Sequence, residues 1–233
     1  MRLSKSILAG LALATSAVLT SCLGDLESPT LPPTAYVSIY QGSPDAPALD
    51  IFANANKVNR EPMQFSQVLA YNAFYPGNRD FRFSPYNSAT SLLEKDFKLA
   101  ADSVYSLFVV NESTQLDAIL VKDEWEEPSA DKSQLRLIHL SPDTEAVHLK
   151  INNAATPIVS NAAYKSNSDF IEITPGKSTL TISLAGSGET LLTSGSLDLK
   201  GNRVYTLVLR GLKSQASGDK KLDIQLITNY FSF

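Results

Sequence analysis

The chain has 233 residues, a single cysteine and a formal net charge of −4 at neutral pH. That mild acidity argues against a nucleic-acid partner, which would call for clustered basic charge. One cysteine excludes an intrachain disulfide, so the fold must rest on its apolar core, and this length makes one large or two ordinary domains.

The first residues read as an address. Arg2 and Lys5 precede an uncharged apolar run from Ile7 to Leu19. This is the pattern of an export signal, and the run is shorter than the roughly 20 residues a helical bilayer span needs. Leu19-Thr20-Ser21-Cys22 resembles a bacterial lipobox, which implies cleavage before Cys22 and lipid attachment at its thiol. Residues 1–21 are therefore expected to be a lipoprotein signal peptide. The mature protein is expected to be exported and anchored by lipid, with the outer membrane as the expected membrane. Residues 22–35 contain Pro29, Pro32 and Pro33 and no periodicity; they read as a Pro-rich, extended tether.

From residue 36 onward the pattern changes to short runs of period two. Val37/Ile39, Leu49/Ile51/Ala53, Phe81/Phe83 and Tyr105/Leu107/Val109 each place apolar side chains on one face of a strand. "VLAYNAFY" at 68–75 reads as a half-buried strand ahead of a Pro-Gly turn. Ser43-Pro44-Asp45 supplies a turn whose proline is pre-set and whose aspartate can bond nearby backbone amides. Tyr75-Pro76-Gly77-Asn78 reads as a type II turn with glycine at the position of positive φ.

The same series then returns. Ser141-Pro142-Asp143 repeats the first turn, and Thr174-Pro175-Gly176-Lys177 the second. Leu135/Leu137, Val147/Leu149/Ile151, Leu180/Ile182/Leu184 and Tyr205/Leu207/Leu209 repeat the strands, with an offset drifting only from 98 to 106. An internal repeat of this length is a duplicated domain. The predicted fold is all-β, two tandem antiparallel β-sandwich domains of immunoglobulin-like type. The first spans 36–123, a charged linker 124–133, and the second 134–233.

Several residues stand out as candidates for function. The stretch 71–87 carries three tyrosines, three phenylalanines and two arginines, and its counterpart in the second copy is far less aromatic. Tyr75, Arg79, Arg82 and Tyr86 could line a surface for glycan or for an envelope protein, since aromatic faces and the arginine fork suit both. Trp125, the only tryptophan, lies in the acidic linker and reads either as a wedge between domains or as an exposed platform. Ser43, Pro44, Asp45, Pro76, Gly77, Ser141, Pro142, Asp143, Pro175 and Gly176 read as folding turns. Asp45, Asp50 and Asp143 could in principle offer oxygens to calcium, but turn capping accounts for them, and no metal or cofactor is expected. With two histidines and no Gly-x-Ser-x-Gly or His-Glu-x-x-His pattern, catalysis is not expected.

An apolar strand, Ser43-Pro44-Asp45-Ala46-Pro47, a second apolar strand with Asp50, then Pro76-Gly77 and Val104-Tyr105-Ser106-Leu107 resembles the bacterial envelope family known as domain of unknown function 4397. The resemblance covers nearly all of residues 36–229 as two copies. It implies an exported, often lipid-anchored β-sandwich and no established activity. The family commonly has a histidine just before the Ser-Pro-Asp motif. That place holds Gln41 in the first copy and His139 in the second, while the place of Asp50 holds His148. The expected role is a non-catalytic binding or assembly module. A surface-fibre subunit is the structural alternative, and a glycan-active hydrolase the catalytic one.

Overall fold

The computed structural model describes residues 32–231. The expected signal peptide, Cys22 and most of the expected tether lie outside the described residues. The described residues from 33 onward form one compact unit.

In chain order the first half carries β1 (Ala35–Gln41), β2 (Leu49–Ala53), β3 (Asn56–Lys57), β4 (Val68–Phe74), β5 (Gly77–Pro85), β6 (Leu93–Leu99), β7 (Val104–Val110) and β8 (Asp117–Lys122). The second half carries β9 (Ser133–His139), β10 (Val147–Ile151), β11 (Val159–Ala162), β12 (Ile171–Ile173), β13 (Gly176–Ser178), β14 (Leu180–Leu184), β15 (Thr190–Thr193), β16 (Leu197–Leu199), β17 (Arg203–Arg210) and β18 (Asp223–Phe231).

The halves repeat each other strand for strand. One sheet runs β4-β1-β7-β8 and its counterpart β12-β9-β17-β18; the other runs β3-β2-β5-β6 and its counterpart β11-β10-β14-β15. The long β5–β6 pair of the first half is broken in the second, where β13 and β16 form a separate two-stranded sheet. The fold is thus two tandem β-sandwiches related by duplication. Most pairs are antiparallel, but β1 runs parallel to β7, and β9 parallel to β17.

Each sandwich has its own core. Val37, Ile39, Leu49, Ile51, Phe81, Phe83 and Leu107 fill the first, while Leu135, Leu137, Val147, Leu149, Leu180, Ile182 and Leu207 fill the second. These are the period-two positions, because successive side chains of a strand point to opposite faces. The other faces of β1, β7, β9 and β17 are largely covered as well. Tyr40, Phe108 and Val110 meet Ile138, Leu140 and Val208 in a third apolar cluster between the halves. Four sheets are therefore stacked, and the two inner ones share a seam. Gly42 marks how close the approach is: a Cβ there would lie 3.0 Å from Leu140 Cδ1 and 2.8 Å from the Val109 carbonyl oxygen.

Candidate functional site

The structure places the sequence-predicted surface residues in three separate regions. Tyr75 and Tyr86 are both exposed, at 71% and 53%, but the nine residues of β5 lie between them, roughly 30 Å of strand. Arg79 is committed to its own turn: Nε donates to the Tyr75 carbonyl, Nη1 to that of Asn78 and Nη2 to that of Pro76. Gly77 within that turn has φ +103°, and Gly176 in the second copy +133°, a region where L side chains are strained. Trp125 lies at the mouth of the seam, ringed by Tyr71, Phe170 and Tyr230 at centroid distances of 6.5, 5.9 and 6.0 Å.

Arg82 and Tyr86 do belong to one surface, the outer face of the sheet β3-β2-β5-β6. Arg82 stacks on Phe52, its guanidinium carbon 4.0 Å from the ring centroid, and donates to Ser84 Oγ at 3.0 Å. Lys57 pairs with Asp50 at 2.7 Å and lies 5.8 Å from the Tyr86 ring centroid. Asn87 N–H donates to the other Asp50 oxygen. The result is a fixed strip of alternating rings and charges. The pairing register explains why only one copy has it. Asp50 faces Ser84 and Phe52 faces Arg82, whereas the second copy has His148 against Ser183 and Lys150 against Thr181. The duplicated strands are alike in core positions and different on this outer face.

The Ser-Pro-Asp turns are tied to distant loops rather than to their own next amides. Asp45 accepts from Ser113 N–H and Oγ–H. Asp143 accepts from the amides of Lys213 and Ser214 at 2.7 and 2.8 Å. Each aspartate thus pins the β1–β2 or β9–β10 turn to the loop after β7 or β17. Burial pushes the Asp143 carboxyl up, but the two amides and Ser141 outweigh it and hold it below its ordinary value. The residue two places before the motif has a common job as well. Gln41 Oε1 accepts from Ser43 N–H at 2.7 Å, and His139 Nδ1 accepts from Ser141 N–H at 3.3 Å. His139 Nε2 must then carry the proton, which it donates to the Glu145 carbonyl at 3.1 Å. Burial lowers the His139 pKa and keeps the ring neutral. Histidine and glutamine are interchangeable here because the turn requires only an acceptor.

These bonds, exposed in both copies, predict that Asp143→Ala and Asp45→Ala each destabilise the protein by about 1 kcal/mol. The urea midpoint of the full-length protein measures both. The folded-state pKa of Asp143 is depressed, so its contribution is complete above the unfolded value near 3.8 and fades as pH falls below it. A constant gap between Asp143→Ala and wild type down to pH 2 would contradict that assignment.

The polar half of the seam was not legible as a site. Arg136 Nη2 pairs with Asp123 Oδ1 at 2.7 Å, with both side chains essentially buried, at 1% and 0% exposure. Arg136 Nε donates to Thr206 Oγ1, and Nη2 also to Ser106 Oγ. Ser106 and Tyr71 hydroxyls both donate to Asp123 Oδ2, at 2.8 and 2.6 Å. Phe170 covers the guanidinium at 4.5 Å. Burial, then the Asp123 charge, holds the Tyr71 phenol well above its ordinary pKa, so it stays a donor. An arginine inside the apolar run "LRLIHL" is the one sequence signal that could have pointed here.

Among the described residues, no three His, Cys, Asp or Glu side chains gather into a metal-sized group. No described helix is long and apolar enough to cross a membrane.

Both halves thus carry a Ser-Pro-Asp staple and an acceptor two residues before its serine. Residues 35–150 match the model of the family described as Domain of unknown function (DUF4397). The match supports that family across the whole first sandwich and into β10. No curated protein matches the chain. Among solved structures, the C-terminal domain of AlgF from P. aeruginosa is similar at 22% identity, over 42% of this chain and 98% of that one, with a TM-score of 0.32.

Proposed function

We propose that this protein is a lipid-anchored cell-envelope component that works as a non-catalytic binding or assembly module, and that both of its halves descend from the family domain. The observation that carries the binding role is the strip Asp50–Lys57–Phe52–Arg82–Tyr86, built on one copy and replaced on the other. Scaffold alone gives no reason for a stacked arginine and a half-exposed tyrosine on the outermost face of only one sandwich. Stacked rings and an oriented guanidinium suit the flat faces and hydroxyls of glycan, and also the side chains of an envelope protein. The lipid anchor is supported by Leu19–Cys22 in the leader; attachment at one end of the chain would leave a face of the first sandwich free for contact.

The test is co-sedimentation of the purified full-length protein with isolated cell-wall glycan and, separately, with detergent-extracted envelope proteins. Wild type is expected to bind one of the two. Phe52→Ala with Arg82→Ala is expected to weaken that binding by about tenfold or more, because paired ring and arginine anchors dominate such surfaces. Binding unchanged by the double substitution would overturn the assignment of the face. Release of soluble glycan fragments, abolished by one carboxylate substitution, would overturn the non-catalytic reading.

A further inference from the structure

The seam joins two copies of one sandwich, and its contacts are reciprocal at its two ends. At one end the loop before β12 reaches across to the first half: the Tyr164 hydroxyl donates to Asn111 Oδ1, and Lys165 pairs with Asp117 at 2.9 Å. Asp117 also takes Lys95 at 2.8 Å. Burial acts to raise this carboxyl, but the two lysines outweigh it and hold it at about 2. This end is closed by side chains.

The other end has the same backbone and different side chains. Ser66 N–H donates to the Gln41 carbonyl just as Lys165 N–H donates to the His139 carbonyl. Ser66 has φ +67° and Lys165 has φ +64°, so the two positions correspond. Phe65 then stands where Tyr164 does, without a hydroxyl to reach across. Asp223 opens β18 as Asp117 opens β8, but Arg210, which replaces Val110, is its partner here at 3.1 Å. Where the Lys165 side chain closes one end, Ser66 leaves a groove of about 360 Å³ at the other. That volume falls at the lower end of small-ligand sites.

We infer that this groove is a binding site for a small anion, carboxylate or phosphate, held between the two sandwiches. It is lined by Phe65, Ser66, Arg210, Lys220 and Lys221, with Asp219 and Asp223 as the acids. Asp223 is spent on Arg210 and on the amide of Ile224. Three cations thus face two acids, in a chain whose overall charge is −4.

The walls are built before any ligand arrives. Arg210 lies over the Phe65 ring at 5.4 Å and donates to the Asp219 carbonyl. Ser66 is held in the left-handed region by Gln41 on one side and by Gln225, which donates to its carbonyl at 3.1 Å, on the other. Strain of that kind persists where surrounding contacts over-determine it. The Lys220–Lys221 turn is fixed by Leu212 N–H on the Lys220 carbonyl and by Leu222 N–H on the Leu212 carbonyl. Both terminal nitrogens of the arginine fork are occupied by protein while its buried Nε has no hydrogen-bond partner, so recognition falls mainly to the two ammonium groups, which read charge more than planar shape.

The test titrates the full-length protein with sodium phosphate or sodium acetate at matched ionic strength against sodium chloride, read by NMR shifts and by melting temperature. Saturable binding of either anion is expected, with a rise in melting temperature because the site spans both sandwiches. Phosphate alone or acetate alone would name the source and still support the site. Lys220→Ala with Lys221→Ala is expected to weaken binding about tenfold or more. Ser66→Lys gives the groove the residue that closes the other end, at a φ that Lys165 already adopts. It is expected to abolish binding while keeping the protein folded. No saturable effect beyond chloride up to about 10 mM anion, an affinity weaker than about 2.7 kcal/mol, overturns the proposal. So does binding that neither variant changes. Neither result bears on the outer strip, which lies on the other face of the first sandwich.

Discussion

Asp123→Ala is expected to lower the stability of the full-length protein by about 3–5 kcal/mol, measured as a shift of the urea midpoint at constant slope. The cost does not come from losing an attraction alone. Removing the carboxylate leaves the Arg136 guanidinium buried against the Thr206 and Ser106 hydroxyls, and an uncompensated buried charge is among the largest single penalties a fold can carry. It also strands the Tyr71 and Ser106 hydroxyls that now donate to Asp123. The paired replacement Asp123→Leu with Arg136→Met should therefore cost less than Asp123→Ala by itself. A loss below about 1 kcal/mol for Asp123→Ala, the range of an exposed pair, would show that water reaches the network.

The same network shows how a duplicated seam becomes asymmetric. By register, Arg136 corresponds to Ser38 and Thr206 to Ser106, and Asn229 follows Thr228 in β18 as Asp123 follows Lys122 after β8. Two identical halves would place like groups against like across the seam. Here one half contributes the acid and the other the base, while Asn229 donates to the Tyr71 hydroxyl and accepts from Thr206. A charge-complementary contact disfavours pairing of either half with a copy of itself. The Arg210 groove follows the same logic: positions equivalent by fold have been given different side chains.

Much of the architecture could be read from the chain because strand alternation and turn chemistry are local. Val37/Ile39 and Leu135/Leu137 identify their strands from period two alone, and Pro76-Gly77 identifies its turn from backbone sterics. What stayed hidden depends on distance in sequence. Asp45 reads as a cap for nearby amides, yet its partner is Ser113, sixty-eight positions on. Alternation marks one face of β7 as core and leaves the other to water, but Phe108 and Val110 on that second face are buried against the other sandwich. The unbroken run "LFVV" within β7 was the trace of this, since a strand covered on both faces loses its alternation. The aromatic stretch 71–87 was visible as composition, whereas its division between two ends of β5 depends on strand length. Phe52 and Lys57, which complete the outer strip with Arg82 and Tyr86, come from strands that sequence reading did not connect to it.

Phe108→Ala is expected to cost about 3–5 kcal/mol, the range for removing a buried phenylalanine, and to do so by loosening the seam rather than either sandwich. Phe108 belongs to the cluster with Tyr40, Val110, Ile138, Leu140 and Val208, and its ring lies 6.1 Å from that of Tyr40. It takes no part in the core of the first sandwich, where the same strand contributes Leu107 and Val109. The truncation therefore leaves a cavity between halves that each keep an intact core. Trp125 reports on this directly, being the only tryptophan in the chain and packed at the mouth of the seam against Tyr71, Phe170 and Tyr230. In wild type, tryptophan fluorescence and far-ultraviolet circular dichroism should change together in urea, as two probes of one cooperative unit do. In Phe108→Ala the fluorescence change should come first, as the halves part before either loses its strands. Leu107→Ala, in the core of the first sandwich, should instead lower stability with the two probes more nearly coincident. Coincident transitions in Phe108→Ala, shifted by less than about 1 kcal/mol, would show that the apolar seam contributes little and that the Arg136–Asp123 network holds the halves together without it.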